Sequence, residues 1–199
     1  GAVLGQPDRV GATLATRRAG DEGDLTIELP HGARCTRCGQ AVAMDEQQGR
    51  FDGRTAVITG AASGIGRAVA LRLCAEGADV VGVDVDDAGL EETVALAGGG
   101  VVAHVADLTS PDACRAAVDA AVATTGRLDV LGNVAGIVRG EHVTDVTVEQ
   151  YRRMMAINVD ACFFLAQAAI PHLLASPTGG SIVTLASNAG LMGQAYTVV

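Results

Sequence analysis

The stretch "AVITGAASGIGRAVALRLCAEG", residues 56–77, decides the fold. A short apolar run leads into three glycines, Gly60, Gly64 and Gly66, and an alanine-rich helical pattern follows. Glycine permits a tight turn and lets the backbone approach a ligand closely. The first turn of the following helix offers unpaired N–H groups and the positive end of the helix dipole, which favour a phosphate group. The stretch therefore predicts a strand, a phosphate-binding turn and a helix; the alternative is a βα turn without a ligand.

An acidic residue at the end of the next apolar run is the second sign of a dinucleotide site. Asp84 closes the run "VVGVD", residues 80–84. A carboxylate there can accept hydrogen bonds from both ribose hydroxyls of adenosine, and its charge repels a 2′-phosphate. The alternative for Asp84, and our interpretation of Asp86 and Asp87, is an acid that stabilises the N-terminus of the following helix.

From residue 51 onward, short apolar runs alternate with alanine-rich helical patterns, which is typical of βαβ units and a parallel sheet. We expect an α/β fold with a doubly wound, Rossmann-like parallel sheet of strand order 3-2-1-4-5 in residues 51–199, after an irregular N-terminal extension in residues 1–50. The pattern predicts strands at 54–59, 79–84, 101–106, 128–133 and 181–186, and helices at 64–76, 86–97, 110–125 and 147–174. Thr147 and Gln150 predict a capping box, and Pro171 is expected to kink or shorten the last helix.

Composition narrows the function classes. The net charge is −9, with 14 basic and 23 acidic residues, and all the basic residues are arginine. No basic stripe exists, so we expect no nucleic-acid partner. No apolar run of membrane-spanning length lacks charge or glycine breaks, so we expect no membrane partner. The 5 cysteines are irregularly spaced, and the start "GAVLGQPDRV" does not look like a signal peptide. These features favour a reducing cytoplasm.

Residues 51–199 resemble the short-chain dehydrogenase/reductase family in five motifs that follow the family's order. The motifs are "TGAASGIG" (59–66), "ADLTS" (106–110), "NVAG" (133–136), "MMAINVDACFF" (154–164) and "GGSIVTLASNAGLMG" (179–193). The resemblance implies a cofactor site formed by Thr59, Gly60, Ser63, Gly64, Ile65, Gly66, Asp84, Asp107, Leu108, Asn133, Ala135 and Gly136. It also implies that Asn158 and Ser187 are catalytic, and it implies no metal.

The resemblance also implies a reaction. Members of the family transfer hydride between a nicotinamide cofactor and a small alcohol or ketone, and whole members are commonly homo-oligomers. Ser63 stands where NADP-preferring members often carry a basic residue, so with Asp84 it implies NAD rather than NADP. Val134 departs from the family's second asparagine. Ser187 would orient and polarise the substrate oxygen.

The residues that carry the resemblance also have physical interpretations of their own. Asn133 and Gly136 follow a strand expected beside the first one, at the crevice where doubly wound sheets bind ligands. Asn158 lies inside a predicted helix, where asparagine is a poor helix former and a buried amide needs partners. A structural hydrogen bond to neighbouring backbone is therefore the alternative to a catalytic role for Asn158.

The family's proton donor is a tyrosine followed four residues later by a lysine, and this pair is not in the 199 residues. The chain contains no lysine. Tyr196 follows Ser187 too closely to match the family's tyrosine. We expect a C-terminally truncated chain that binds a dinucleotide and is inactive in turnover, with the later strands of the fold missing. The alternative function is a non-catalytic dinucleotide-binding module or an inactive fragment.

Other chemistry-bearing residues give weaker signals. His31, Cys35 and Cys38 provide three candidate zinc ligands, but no second Cys-x-x-Cys completes a tetrahedral site. A fused metal module therefore stays an alternative for residues 1–50. Arg152 and Arg153 are expected on a solvated helix face. The remaining cysteines are expected to be small core residues; they are Cys74, Cys114 and Cys162.

Overall fold

The structure is a computed structural model that describes the backbone of Ile27–Glu28 and Arg34–Cys35, and residues 49–193 in full. In the first of two compact units, Gly1–Asp45, these two short strands pair antiparallel. A strand therefore lies within the segment "DLTIELP" of the extension. The other predictions for residues 1–48, including the Cys-x-x-Cys site, lie outside the described residues. The domain boundary after residue 50 stays a prediction.

The second unit, Glu46–Val199, contains a five-stranded parallel sheet with helices on both faces. The strands are β1 (Thr55–Thr59), β2 (Asp79–Asp84), β3 (Val101–Val105), β4 (Val130–Asn133) and β5 (Ser181–Thr184). The helices are α1 (Gly64–Ala75), α2 (Asp87–Ala97), α3 (Pro111–Thr125), α4 (Val148–Met155) and α5 (Ala161–Ala175). The strand order is 3-2-1-4-5, which confirms the predicted Rossmann-like fold.

β1 is the central strand, and all five of its residues are buried. Its side chains alternate between two apolar clusters. Ala56 and Ile58 pack with residues of α1 and α2 on one face, and Val57 packs with residues of α3 and α5 on the other. Because both faces of a parallel sheet are covered, its strands are continuous apolar runs rather than alternating ones. The aromatic-poor composition fits this core, whose buried residues are mainly alanine, valine and leucine.

The long helix predicted over 147–174 is interrupted by one π-helical segment, Ala156–Asp160, between α4 and α5. The predicted capping box is confirmed at its start. The Thr147 hydroxyl accepts a hydrogen bond from the Gln150 N–H (3.2 Å), and the Gln150 side chain accepts one from the Thr147 N–H (2.7 Å). Such π-helical segments occur frequently at functional sites, and this one carries Asn158.

Pro171 does not shorten the helix, because α5 continues past it to Ala175; a kink at Pro171 stays a prediction. Pro171 removes one N–H donor, but Leu165, Ala169 and Leu173 anchor the same helix face in the core. Val148–Ala175 is long and apolar enough to cross a membrane by length and composition alone, although it contains charged residues. Core helices pass the same test, and the anchored face packs against the sheet.

A buried carboxylate ties the N-terminal ends of the central strands together. Asp129, just before β4, accepts hydrogen bonds from the Thr55 N–H (2.8 Å), from Arg127 (2.6 Å) and from the hydroxyls of Ser176 and Thr178. Burial alone would raise the pKa of Asp129, but these hydrogen bonds outweigh it and lower the pKa to about 2. The carboxylate therefore joins β1, β4 and the loop that precedes β5.

We predict that Asp129→Asn lowers the free energy of unfolding by about 3 kcal/mol, because the buried carboxylate is the shared acceptor of the Thr55 N–H, of Arg127 and of two hydroxyls, and an amide cannot accept all of these hydrogen bonds. Because the pKa of Asp129 is lowered on folding, the ionised carboxylate stabilises the wild type above pH ~4. This stabilisation is lost as the pH falls toward about 2. Urea unfolding at pH 7 and at several lower pH values measures both effects.

The matched control is Asp119→Asn, at an exposed position of α3, which should leave the urea midpoint unchanged. Equal midpoints for the two variants at pH 7 would show that the Asp129 cluster does not stabilise the sheet.

Candidate cofactor site

The turn between β1 and α1 has room only for glycine at two positions. Gly60 has a φ of +71°, a conformation that residues with a Cβ rarely adopt. A Cβ on Gly66 would overlap the carbonyl group of Gly60 and would lie 3.0 Å from the Thr59 carbonyl oxygen. The first turn of α1 therefore crosses directly over the end of β1, in the arrangement predicted from the three glycines.

The N-terminus of α1 is open. Ser63 is the N-cap residue, but its side chain makes no capping hydrogen bond, and the first turn contains no acidic residue. The first N–H groups of a helix have no partner within the helix, and with the helix dipole they form a site for an anion. Gly64, Ile65 and Gly66 carry these groups, and all three residues line one cavity.

Side chains from α1 and α2 hold the outer side of the turn in place. The buried Thr93 hydroxyl donates to the Ala61 carbonyl (2.8 Å) and accepts from Arg67 Nε (3.0 Å). The Arg67 guanidinium also donates to the Ala62 carbonyl and forms an ion pair with Glu92 (2.8 Å). The turn is therefore fixed by the protein before any ligand is present. Sequence reasoning missed Arg67 and Thr93, because only the packing of α1 against α2 brings them together.

Asp84 connects the end of β2 to the same turn. One carboxylate oxygen accepts a hydrogen bond from the Ala62 N–H (3.0 Å), and the other accepts from the N–H groups of Val85 (2.8 Å) and Asp86 (3.2 Å). Asp86 is the N-cap of α2 and accepts from the Gly89 N–H (3.2 Å), which confirms its interpretation as an acid at the helix N-terminus. Asp84 does not cap the helix; it faces the cavity as a fixed acceptor.

One cavity of about 360 Å³ lies at the carboxyl ends of the strands. Ten of the predicted site residues line it: Gly60, Ser63, Gly64, Ile65, Gly66, Asp84, Asp107, Leu108, Ala135 and Gly136. The cavity thus spans the turn after β1 and the loops after β2, β3 and β4. This is the crevice where doubly wound sheets bind their ligands. In the described part of the chain, no cluster of three potential metal ligands occurs.

Two of the predicted cofactor residues, Thr59 and Asn133, are buried and do not line the cavity. Thr59 is 1% exposed, and its hydroxyl accepts from the N–H groups of Val134 (2.9 Å) and Ala135 (3.0 Å). Asn133 is also buried and donates to the Thr184 hydroxyl (3.2 Å) on β5. Thr59 therefore holds the loop after β4 against β1, and Asn133 joins β4 to β5. Direct contact of either side chain with a cofactor stays a prediction.

Asn158 forms structural hydrogen bonds to neighbouring backbone, which the sequence left open as the alternative to a catalytic role. Its side-chain amide donates to the Ile137 carbonyl (2.9 Å) and accepts from the Ile137 N–H (2.9 Å). The π-helical segment presents this amide to the loop after β4, where Gly136 and Ile137 line the cavity. Asn158 therefore fixes the backbone of that loop, and its catalytic role stays a prediction.

Ser187 lies three residues beyond β5 and is exposed. Its hydroxyl accepts from the Ala189 N–H (3.2 Å) and donates to the Asn188 side chain (3.4 Å), and it begins the short 3₁₀ turn Asn188–Gly190. Leu185, two residues earlier, lines the cavity, but Ser187 itself does not. Its catalytic role also stays a prediction.

Asp107 and Arg153 are the charged pair at the β3 side of the cavity. Hydrogen bonds from Thr109 lower the pKa of Asp107, and the positive charge of Arg153 lowers it further. Both residues line the cavity. Arg152 and Arg153 are exposed as expected, but the sequence interpretation missed that Arg153 reaches the site. The signal was available, since Arg153 and Ile157 are four residues apart on one helix face and both line the cavity.

The sequence model of the short chain dehydrogenase family matches residues 54–199. This chain belongs to that family. (-)-trans-Carveol dehydrogenase of Rhodococcus erythropolis is 40% identical over 163 residues, which cover 73% of this chain and 58% of that protein. The chain spans between 57% and 60% of the length of the first curated relatives that it matches.

Two solved structures of short-chain dehydrogenases share the fold. The enzyme from Mycobacterium paratuberculosis bound to NAD is 37% identical with a TM-score of 0.71, over 75% of this chain and 61% of that one. A metagenomic short-chain oxidoreductase in complex with NADP is 33% identical with a TM-score of 0.68, over 74% of this chain and 68% of that one. The family binds NAD(P), and the comparisons include both forms of the cofactor.

The residues of this chain fit a dinucleotide. The open N-terminus of α1 suits a diphosphate, and the missing Cβ atoms of Gly60 and Gly66 allow the turn that places it. Asp84 suits a ribose diol, because a carboxylate held by backbone N–H groups keeps acceptor lone pairs for hydroxyl donors. A nicotinamide dinucleotide in this cavity would be held by these residues.

We predict that Gly66→Ala raises the Kd for NAD⁺ by at least about tenfold, since the new methyl group displaces the Gly60 carbonyl and distorts the anion site. Isothermal titration calorimetry measures the Kd, and circular dichroism checks that the variant is folded.

The control is Gly98→Ala at the end of α2. Gly98 has a positive φ, +66°, but open space surrounds its Cβ position and it does not line the cavity. This variant adds the same methyl group and strains the backbone away from the turn, so its Kd should match the wild type. A Gly66→Ala protein that binds NAD⁺ as tightly as Gly98→Ala would contradict the assignment.

Proposed function

We propose that this chain is the cofactor-binding part of an NAD-dependent oxidoreductase that interconverts a secondary alcohol and a ketone by hydride transfer. One observation carries the proposal: the open N-terminus of α1 and the fixed carboxylate of Asp84 line the same cavity. A diphosphate at the first and a ribose diol at the second would engage the two recognition points of a dinucleotide.

The preference for NAD rests on charge. The 2′-phosphate of NADP would approach the Asp84 carboxylate, and the neighbouring Ser63 side chain carries no compensating charge. Among the described residues that line the cavity, Arg153 is the only basic one, and its charge acts on Asp107. The lining therefore disfavours an added phosphate at the ribose.

The substrate class rests on the family and on the relative that acts on carveol. Ser187, beyond the carboxyl end of β5, would hydrogen-bond the substrate oxygen, and Asn158 would keep the loop after β4 in position. The exposed apolar side chains of α5 support a homo-oligomer of the whole protein; they include Phe163, Ile170 and Leu174. A cytoplasmic location stays a prediction.

A second candidate function is a non-catalytic dinucleotide-binding module. It is favoured by one observation, the absence of lysine from the 199 residues, because the family's tyrosine works with a lysine that lowers its pKa. Both candidate functions predict that these 199 residues bind NAD⁺ without turnover.

We predict that the chain binds NAD⁺ at least about tenfold more tightly than NADP⁺, and that Asp84→Asn narrows this ratio because it removes the charge but keeps an acceptor for the Ala62 N–H. Titration calorimetry with both cofactors measures the ratio. The control is Asp86→Asn, which removes a charge two residues away and keeps an N-cap. Equal affinities for NAD⁺ and NADP⁺ in the wild type would refute the assigned preference, and no binding of either would refute the function.

We predict that the 199-residue polypeptide shows no hydride transfer above background with cyclic secondary alcohols and NAD⁺, because it lacks the tyrosine–lysine pair. Absorbance at the wavelength of the reduced nicotinamide measures turnover. Sustained turnover by the pure protein would show that another group donates the proton.

A further inference from the structure

We infer that Arg153 is a cofactor-binding residue that holds the adenosine half of the dinucleotide, an inference that rests on the proposed function. Its position is the first argument. Arg153 on α4 lines the cavity, as does Ile157 one turn later in the π-helical segment, while the intervening Met154 is 1% exposed and packs into the protein. Residues four apart share a helix face, so the guanidinium belongs to the wall of the site.

The charges around the cavity are the second argument. Its described lining contains two carboxylates, Asp84 and Asp107, and Arg153 as the only cation. A bound diphosphate adds further negative charge to a site that is already acidic. The guanidinium of Arg153 in this lining offsets part of the repulsion, in a chain whose overall net charge is −9.

The side of the cavity on which Arg153 lies is the third argument. The charge of Arg153 acts on Asp107, which follows β3, and both residues line the cavity, whereas Ser187, which follows β5, does not. Because β3 pairs with β2, with Asp84 opposite Val105, the loop that carries Asp107 and Leu108 starts next to Asp84. A nucleoside with its ribose at Asp84 would therefore place its base near Asp107 and Leu108. A guanidinium is planar and stacks on aromatic rings, and it forms directed hydrogen bonds with carboxylates. Arg153 therefore has the chemistry to cover the base while Asp107 orients it.

Arg153 also has its guanidinium available for this role. Among the residues that the structure describes, it forms no ion pair within 4 Å and no side-chain hydrogen bond, whereas Arg67, Arg72 and Arg127 are each paired with an acid. Its attraction to Asp107 acts over a longer distance. A ligand between the two charges would contact both without first breaking a hydrogen bond of Arg153.

The test measures binding of NAD⁺, 5′-AMP and nicotinamide mononucleotide to the whole chain. We expect Arg153→Ala to raise the Kd values for NAD⁺ and AMP by about tenfold, and the Kd for nicotinamide mononucleotide by less than about twofold. The control, Arg152→Ala, removes the same charge from an exposed position that does not line the cavity. It should leave all three Kd values within about twofold of the wild type. Arg153→Lys, which keeps the charge but not the planar group, should recover only part of the loss.

The outcomes separate this inference from the proposed function. Wild-type binding of NAD⁺ with no difference between the Arg153 and Arg152 variants overturns the role of Arg153 and leaves the dinucleotide site intact. An equal loss of AMP and nicotinamide mononucleotide overturns it as well, because the arginine would then act on both halves. A wild type that binds no NAD⁺ overturns both proposals. If the Arg152 and Arg153 variants unfold at the same thermal midpoint as the wild type, a change in Kd does not come from a loss of folding.

Discussion

The structure depends on the crossing of the first turn of α1 over the carbonyl of Gly60, where no side chain fits at Gly66. This contact turns the chain from the central strand into a helix within four residues. It also places the open helix N-terminus at the carboxyl edge of the sheet. The packing of the fold and the position of the anion site therefore follow from the same absence of a Cβ atom.

A second layer of hydrogen bonds connects this turn to the rest of the site. Thr59 binds the backbone after β4, Asp84 binds the turn from the end of β2, and Asn158 binds the loop at Ile137. Each of these polar side chains satisfies backbone groups that strand pairing leaves free at the end of the sheet. Part of what looks like cofactor chemistry in the sequence is therefore the framework that holds the cavity open.

The sequence predicted the sheet order and most of the cavity lining, because apolar runs, glycines and helix caps are local signals. It did not predict the π-helical segment around Asn158, since no local pattern marks an extra residue in a helix. It also missed Arg67 and Thr93, which meet only when α1 packs on α2. For Thr59, the motif marked the correct position, but the direction of the side chain depends on the neighbouring strand β4.

The Asp129 cluster lies at the opposite end of β4 from Asn133 and the cavity. Four residues of extended strand separate these ends by about 13 Å, beyond the range over which substitutions usually couple energetically. The anchoring of the strands at one edge and ligand selection at the other can therefore change independently. Because of this separation, substitutions at the cavity edge can change which ligand binds without weakening the anchor of the strands at the other edge.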